Sequence, residues 1–151
     1  MFKTILFDLD GTLIDQFSAI HKSVNHVQRQ IGLKESTYIN VKKAVGGSVG
    51  LTLKRLFNDA ELETTLPIFK EHFEKIMMDE VFVLPGVFEL LDALKADHIQ
   101  MAVLTNKIGS HARSTLKHLK IDCFFDCTLG AEDTPYRKPS PQFTEHILNS
   151  L

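Results

Sequence analysis

Cysteine is scarce in this chain of 151 residues: Cys123 and Cys127 are the only two. Their spacing is not that of a zinc knuckle and no histidine cluster completes a metal site, so the pair reads as free, buried thiols of a reducing cytoplasm. An excess of either charge is also lacking. The net charge is -2, the seven histidines are scattered, and there is no five-residue run of like charge. That leaves no electrostatic basis for binding nucleic acid or a membrane surface. No stretch approaches 18 continuous apolar residues, so no transmembrane helix is expected. The opening Met1–Phe7 is too short, and too soon interrupted by Asp8, for a signal peptide. Internal repeats and low-complexity segments are absent. What is present, 44% hydrophobic and 24% charged residues, is the composition of a soluble globular protein. The length suits one ordinary domain, or a smaller domain carrying an insertion.

Residues 3–9 form an unalternating apolar run that ends at an Asp-Gly turn, as expected of a strand buried on both faces of a parallel sheet. From Phe17 the period changes. Phe17, Ile20, Val24, Val27 and Ile31 step by three or four and make one helical stripe, which Gly32 can stop. Further helices are expected over Thr37–Val45, over Val49–Phe57, and around Leu66–Met77 with Pro67 near the first turn. Four helices with no strand among them predict a helical insertion over residues 16–80, set into an α/β core of residues 1–15 and 81–151. In that core, Val87, Leu90, Leu91 and Leu94 mark a helix. Ile99–Leu104 reads as a strand, Ser110 as the N-cap of the next helix, Phe124–Leu129 as another strand, and Ser140-Pro141 as the start of a last helix. The rhythm predicts a Rossmann-like parallel sheet.

The chemistry concentrates at Asp8-Leu9-Asp10-Gly11-Thr12, directly after the first strand. Four fixed residues of this kind would arise by chance in such a chain with a probability of about 0.002. Open α/β sheets also hold their ligands at the carboxyl ends of strands, where this motif lies. A calcium loop fits poorly, because Leu13 stands where a third ligand belongs and a strand precedes the motif. On an extended strand end the side chains of Asp8 and Asp10 point the same way. One can then attack phosphorus while the other handles protons. Gly11 allows the sharp turn that brings backbone amides toward a phosphate.

The stretch Asp8-Leu-Asp10-Gly-Thr-Leu-Ile-Asp15 resembles the first motif of haloacid dehalogenase (HAD) superfamily phosphatases. Thr105-Asn106 is similar to their second motif, and Lys138 in Arg137-Lys138-Pro139 to their third. The helical insertion resembles the cap of the phosphoglycolate phosphatase and β-phosphoglucomutase branch. The resemblance implies the HAD fold with Asp8 as nucleophile, through an aspartyl-phosphate, and Asp10 as general acid and then base. It implies Mg²⁺ held by the Asp8 carboxylate and the Asp10 backbone carbonyl, and phosphate held by Gly11, Thr12, Thr105, Asn106 and Lys138. The substrate would be a small phosphorylated metabolite. Asp10 favours phosphate chemistry, since the dehalogenases of the superfamily lack this second carboxylate.

In such proteins an acidic fourth motif follows one more strand, for which about 10 residues beyond the last helix would be needed. Glu145, mid-helix, is the only acidic residue after Lys138. The readings that stay open are a phosphoglycolate phosphatase-like hydrolase, a β-phosphoglucomutase-like phosphotransferase, and an impaired scaffold. Without a neighbour on its far side, the first strand would be an apolar sheet edge, which predicts either a homo-oligomer or a chain shortened from a longer protein. Gly46-Gly47-Ser48 reads as a turn between helices of the insertion. Lys42, Lys43 and Arg55 read equally as a solvated face or as contacts for an anionic substrate.

Overall fold

Thr4-Ile-Leu-Phe7, rich in β-formers, makes strand β1 (Thr4–Phe7) of a three-stranded parallel sheet in the order β1-β4-β5. The computed structural model describes residues 3–57 and 62–151. Its chain divides into two compact units, Met1–Asp15 with Phe82–Leu151, and Gln16–Val81.

In the first unit, β4 (Gln100–Ile108) is central. Thr4–Phe7 pair with Gln100–Val103, and Ala102–Leu104 with Cys127–Leu129 of β5 (Cys127–Ala131). Strand β1 ends opposite Val103, while β4 runs on to Ile108 and ends opposite Ala131, the last residue of β5. Helices α5 (Val87–Ala96), α6 (Gly109–His118) and α7 (Pro141–Leu148) follow the β-α rhythm. Phe143 and Ile147 of α7 are fully buried against Ala102, Leu104 and Leu129. A two-residue antiparallel pair, β2 (Ile14–Asp15) with β3 (Phe82–Val83), completes the unit.

Four differences from the sequence expectations have local causes. Strand β5 begins at Cys127 because Asp122–Phe124 wind into a 3₁₀ turn. The Asp126 carboxylate then accepts from Met101 N–H, bridging turn to sheet at 3.1 Å. Ser110 lies inside α6, not at its cap, because the chain turns helical at Gly109. Leu90 is 46% exposed, and α5 buries Val87 and Leu91 instead. The thiols are free, but Cys123 is exposed and only Cys127 is half-buried.

The second unit holds α1 (Phe17–Gln30), α2 (Tyr38–Ala44), α3 (Val49–Leu56) and α4 (Leu62–Ile76). Their shared core includes Val24, Val27, Val41, Leu53, Phe69 and Phe73. Thr37 and Ser48 cap α2 and α3 by accepting from Asn40 and Leu51 N–H, as short polar side chains do at helix starts. Helix α4 begins a turn earlier than expected, so Pro67 sits within it. Arg55 donates from one nitrogen to the Ala44 and Gly46 carbonyls, at 2.8 Å each. Lys42 lies over the rings of Phe17 and Tyr38. Both cations thus hold the α2 end of this unit together.

One histidine in this unit, His72, is sensitive to protons. His26 and His72 stack with centroids 4.1 Å apart, and Ser23 Oγ lies 3.0 Å from His72 Nδ1. Burial, and then the charges of His26, Arg29 and Lys75, push the His72 pKa down. The unfolded chain therefore takes up this proton first. The stability tied to His72 is full above the ordinary histidine value of about 6.5 and falls as pH drops from there toward the folded value. Thermal melts followed by helical dichroism should show a lower Tm at pH 5.5 than at pH 7.5. The difference should shrink in His72→Gln; an unchanged difference would refute the assignment.

Candidate active site

The Asp8–Thr12 loop leaves β1 and closes on itself. The Leu9 carbonyl accepts from the N–H groups of Thr12, Leu13 and Ile14, and Gly11 N–H donates to the Ile14 carbonyl at 2.8 Å. Gly11 takes a φ of 80°, which only glycine adopts freely. The amides of Gly11 and Thr12, expected at a phosphate, are instead engaged in this turn. Asp10 sits between the two bonds that make its bridge with Ile14, so its own N–H and C=O point away from Ile14. Leu9 is fully buried and anchors the loop.

Strand β4 supplies the opposite wall through a bulge. Leu104 pairs with Leu129 and Ile108 with Ala131, so β4 spends twice as many residues as β5 over this step. The bulge pushes Thr105–Lys107 out of the regular ladder beside Asp8 and Asp10. Thr105 is only 2% exposed, and its Oγ1 accepts from Lys107 N–H at 3.1 Å. Asn106 turns to the loop before α7: its Nδ2 donates to the Lys138 carbonyl at 3.1 Å, and its Oδ1 accepts from Lys138 N–H at 2.8 Å. The sequence reading gave this side chain to phosphate. The structure spends both its ends on the backbone of Lys138, a residue far along the chain.

The result is two aspartates matched to two lysines. Lys138 Nζ donates to Asp8 Oδ1 at 2.7 Å, with side chains 32% and 46% exposed. Asp8 Oδ1 also accepts from Leu9 N–H at 2.8 Å. Lys107 Nζ lies 3.2 and 3.3 Å from the two oxygens of Asp10. This pair is deeper, with side chains 7% and 22% exposed. The sequence reading had no place for Lys107. Alternation along the strand could not have found it, because the bulge takes Lys107 out of the regular ladder.

Asp133, also unforeseen, braces the site from β5. Its carboxylate accepts from Arg113 at 2.8 and 3.0 Å and from Gly130 N–H at 2.8 Å. The Arg113 guanidinium holds the Asp133 carboxyl below the usual carboxylate range, with the Gly130 N–H adding to the effect against burial. Nothing in the sequence pairs Asp133 with Arg113, since only the α6 crossover brings them together.

Among the described residues, no group of three His, Cys, Asp or Glu side chains is placed to hold a metal ion. A hard cation would find oxygen donors in the Asp8 carboxylate and the Asp10 carbonyl. That set suits Mg²⁺, which binds through one or two carboxylates and keeps its remaining positions for water and substrate phosphate.

Comparison with known proteins places this geometry. A phosphoglycolate phosphatase of Aquifex aeolicus (strain VF5) is 32% identical over 92% of this chain and 65% of its own length. A protein of Caldanaerobacter subterraneus subsp. tengcongensis, named provisionally as pyrophosphatase PpaX, is 36% identical over 97% of this chain and 65% of its own. The chain thus spans just under two thirds of these curated relatives. A crystal structure described as a predicted phosphoglycolate phosphatase from Haemophilus somnus 129PT superposes with a TM-score of 0.89 at 26% identity. It covers 99% of this chain and 71% of that one. The family model described as Haloacid dehalogenase-like hydrolase matches residues 5–151, and the chain belongs to that family.

Proposed function

We propose that the sheet unit is the machinery of a phosphomonoester hydrolase working through Asp8 on a small phosphorylated metabolite. The observation that carries this reading is the pair of matched ion pairs, Asp8 with Lys138 and Asp10 with Lys107, that joins the loop after β1 to the end of β4 and the loop before α7. Asp8 attacks phosphorus and forms an aspartyl-phosphate as the ester oxygen leaves, taking a proton from Asp10. Asp10 then accepts a proton from the water that hydrolyses the aspartyl-phosphate, returning both carboxyls to their starting states. Lys138, released from Asp8 as the bond to phosphorus forms, offsets charge on the phosphoryl oxygens, and the Thr105 hydroxyl donates to them. When bound at Asp8 and the Asp10 carbonyl, Mg²⁺ supplies Lewis-acid stabilisation of the same oxygens. The names of the relatives support phosphoglycolate as the first substrate to try, and the Gln16–Val81 unit is read as the cap that selects it.

The reading is tested by Mg²⁺-dependent turnover of p-nitrophenyl phosphate and phosphoglycolate by the full chain, with Asp8→Asn as the control. Equal rates would overturn it. Two further features belong to this reading. The free thiols fit a reducing cytoplasm, and among the described residues no helix is long and apolar enough to cross a membrane. Strand β1 pairs on one side only in the described sheet, and such edges invite a second strand. Size-exclusion chromatography with light scattering should therefore show a dimer or larger species, and a stable monomer at high concentration would remove that argument.

A further inference from the structure

We infer that Lys107 is the positioning residue for the proton-transferring carboxylate of Asp10, an assignment that rests on the phosphatase reading above. Three observations carry it. The Lys107 ammonium lies 3.2 and 3.3 Å from the two Asp10 oxygens, so it straddles the carboxylate and does not monopolise one end. The Lys107 side chain is only 7% exposed, and a buried pair is screened far less by water and salt than a surface one. The backbone that carries Lys107 is itself held: its N–H donates to Thr105 Oγ1, and its carbonyl is packed so near Gly130 that a Cβ at that position would strike it.

The geometry has a chemical consequence. An acid that protonates a leaving oxygen has one oxygen carrying the proton and the other free to be held. An ammonium with three N–H donors can keep the second oxygen while the first gives up or regains its proton. Asp10 then occupies one place in both halves of the cycle. Lys138 serves a different carboxylate: its ammonium is paired with Asp8 and then offsets charge on the phosphoryl oxygens, while Asn106 clamps its backbone.

A positioning role for an acid predicts that the effect depends on the leaving group. An ester whose alcohol leaves poorly needs the proton, whereas 2,4-dinitrophenolate leaves without it. The experiment measures kcat/KM, which reports the steps up to departure of the alcohol, for phenyl phosphate and 2,4-dinitrophenyl phosphate with Mg²⁺. Lys107→Met should lose about 10²-fold on phenyl phosphate and less than about threefold on the dinitrophenyl ester, and Lys107→Arg should recover most of the loss. Asp10→Asn should show the same selectivity, and adding Lys107→Met to it should cost nothing further on phenyl phosphate. Circular-dichroism melts verify that each variant is folded. If Lys107→Met slows both esters equally, or adds its loss to that of Asp10→Asn, the Lys107 assignment falls while the phosphatase reading stands. If Asp8→Asn turns over the dinitrophenyl ester as fast as the wild type, the phosphatase reading fails and takes this assignment with it.

Discussion

Asp8→Asn is expected to lower Mg²⁺-supported turnover of phosphoglycolate and p-nitrophenyl phosphate by about 10⁴-fold or more, the scale seen when a covalent nucleophile is removed. The carboxamide keeps the shape of the carboxylate but is a poor nucleophile and no longer neutralises Lys138. Structure should survive. Asp8 is 46% exposed, and Lys138, 32% exposed, has water to replace its lost partner. The Leu9 N–H that now donates to Asp8 Oδ1 can donate to the amide oxygen instead. The expected result is an enzyme with an unchanged melting curve, no turnover, and no acid-stable, hydroxylamine-sensitive phosphate label. A variant keeping more than a tenth of the wild-type rate would exclude Asp8 as the nucleophile.

Gly130→Ala carries the largest expected cost in stability. A Cβ there would lie 2.5 Å from Gly109 Cα, 2.5 Å from the Lys107 carbonyl oxygen and 2.7 Å from Gly109 N. All three are backbone atoms of β4 and α6, which cannot swing aside as a side-chain tip can. The strands must part, at a cost of about 3 kcal/mol, readable as a shift of the urea midpoint at constant slope. Activity should fall with it, because the atoms displaced are those that present Lys107 to Asp10. Gly109→Ala makes a useful contrast. Its Cβ would meet the Asp133 carboxylate, the nearest oxygen at 2.0 Å, and that side chain can rotate out at the expense of its bonds to Arg113 and Gly130. Equal stability of wild type and Gly130→Ala would show that the sheet has slack at the bulge.

Much of the fold could be read from the residues because the signals were strong and local. The stripe from Phe17 to Ile31 and the helices expected over Thr37–Val45 and Val49–Phe57 each depend on neighbours within a turn or two, and they appear as α1 to α3. Asp8 and Asp10 were legible as candidates because the motif that carries them directly follows a strand. The misses share a different cause. Lys107 acquires its role from a bulge that exists only once β4 has paired with β5. Asn106 looked like a ligand for phosphate because a polar side chain at a strand end has no evident partner until the chain returns at Lys138. Asp133 and Arg113 meet only across the α6 crossover. Phe124 and Phe125 looked like strand because aromatics favour sheets. Backbone bonding within Asp122–Phe125 kept them out of it, with Phe124 N–H donating to Ile121 and Phe125 N–H to Asp122.

The two-residue pairing of β2 with β3 has a consequence for how this architecture can vary. Asp15 stands opposite Phe82, so the chain leaves the first unit and comes back to it on adjacent strands. In topological terms everything from Gln16 to Val81 is the loop of a hairpin. Such a loop can be lengthened, replaced or grafted from another protein without altering the order of β1, β4 and β5 or the hydrogen bonds at their carboxyl ends. On the phosphatase reading proposed above, the catalytic chemistry and the choice of substrate would be written in separable portions of one chain, joined at a seam four residues wide.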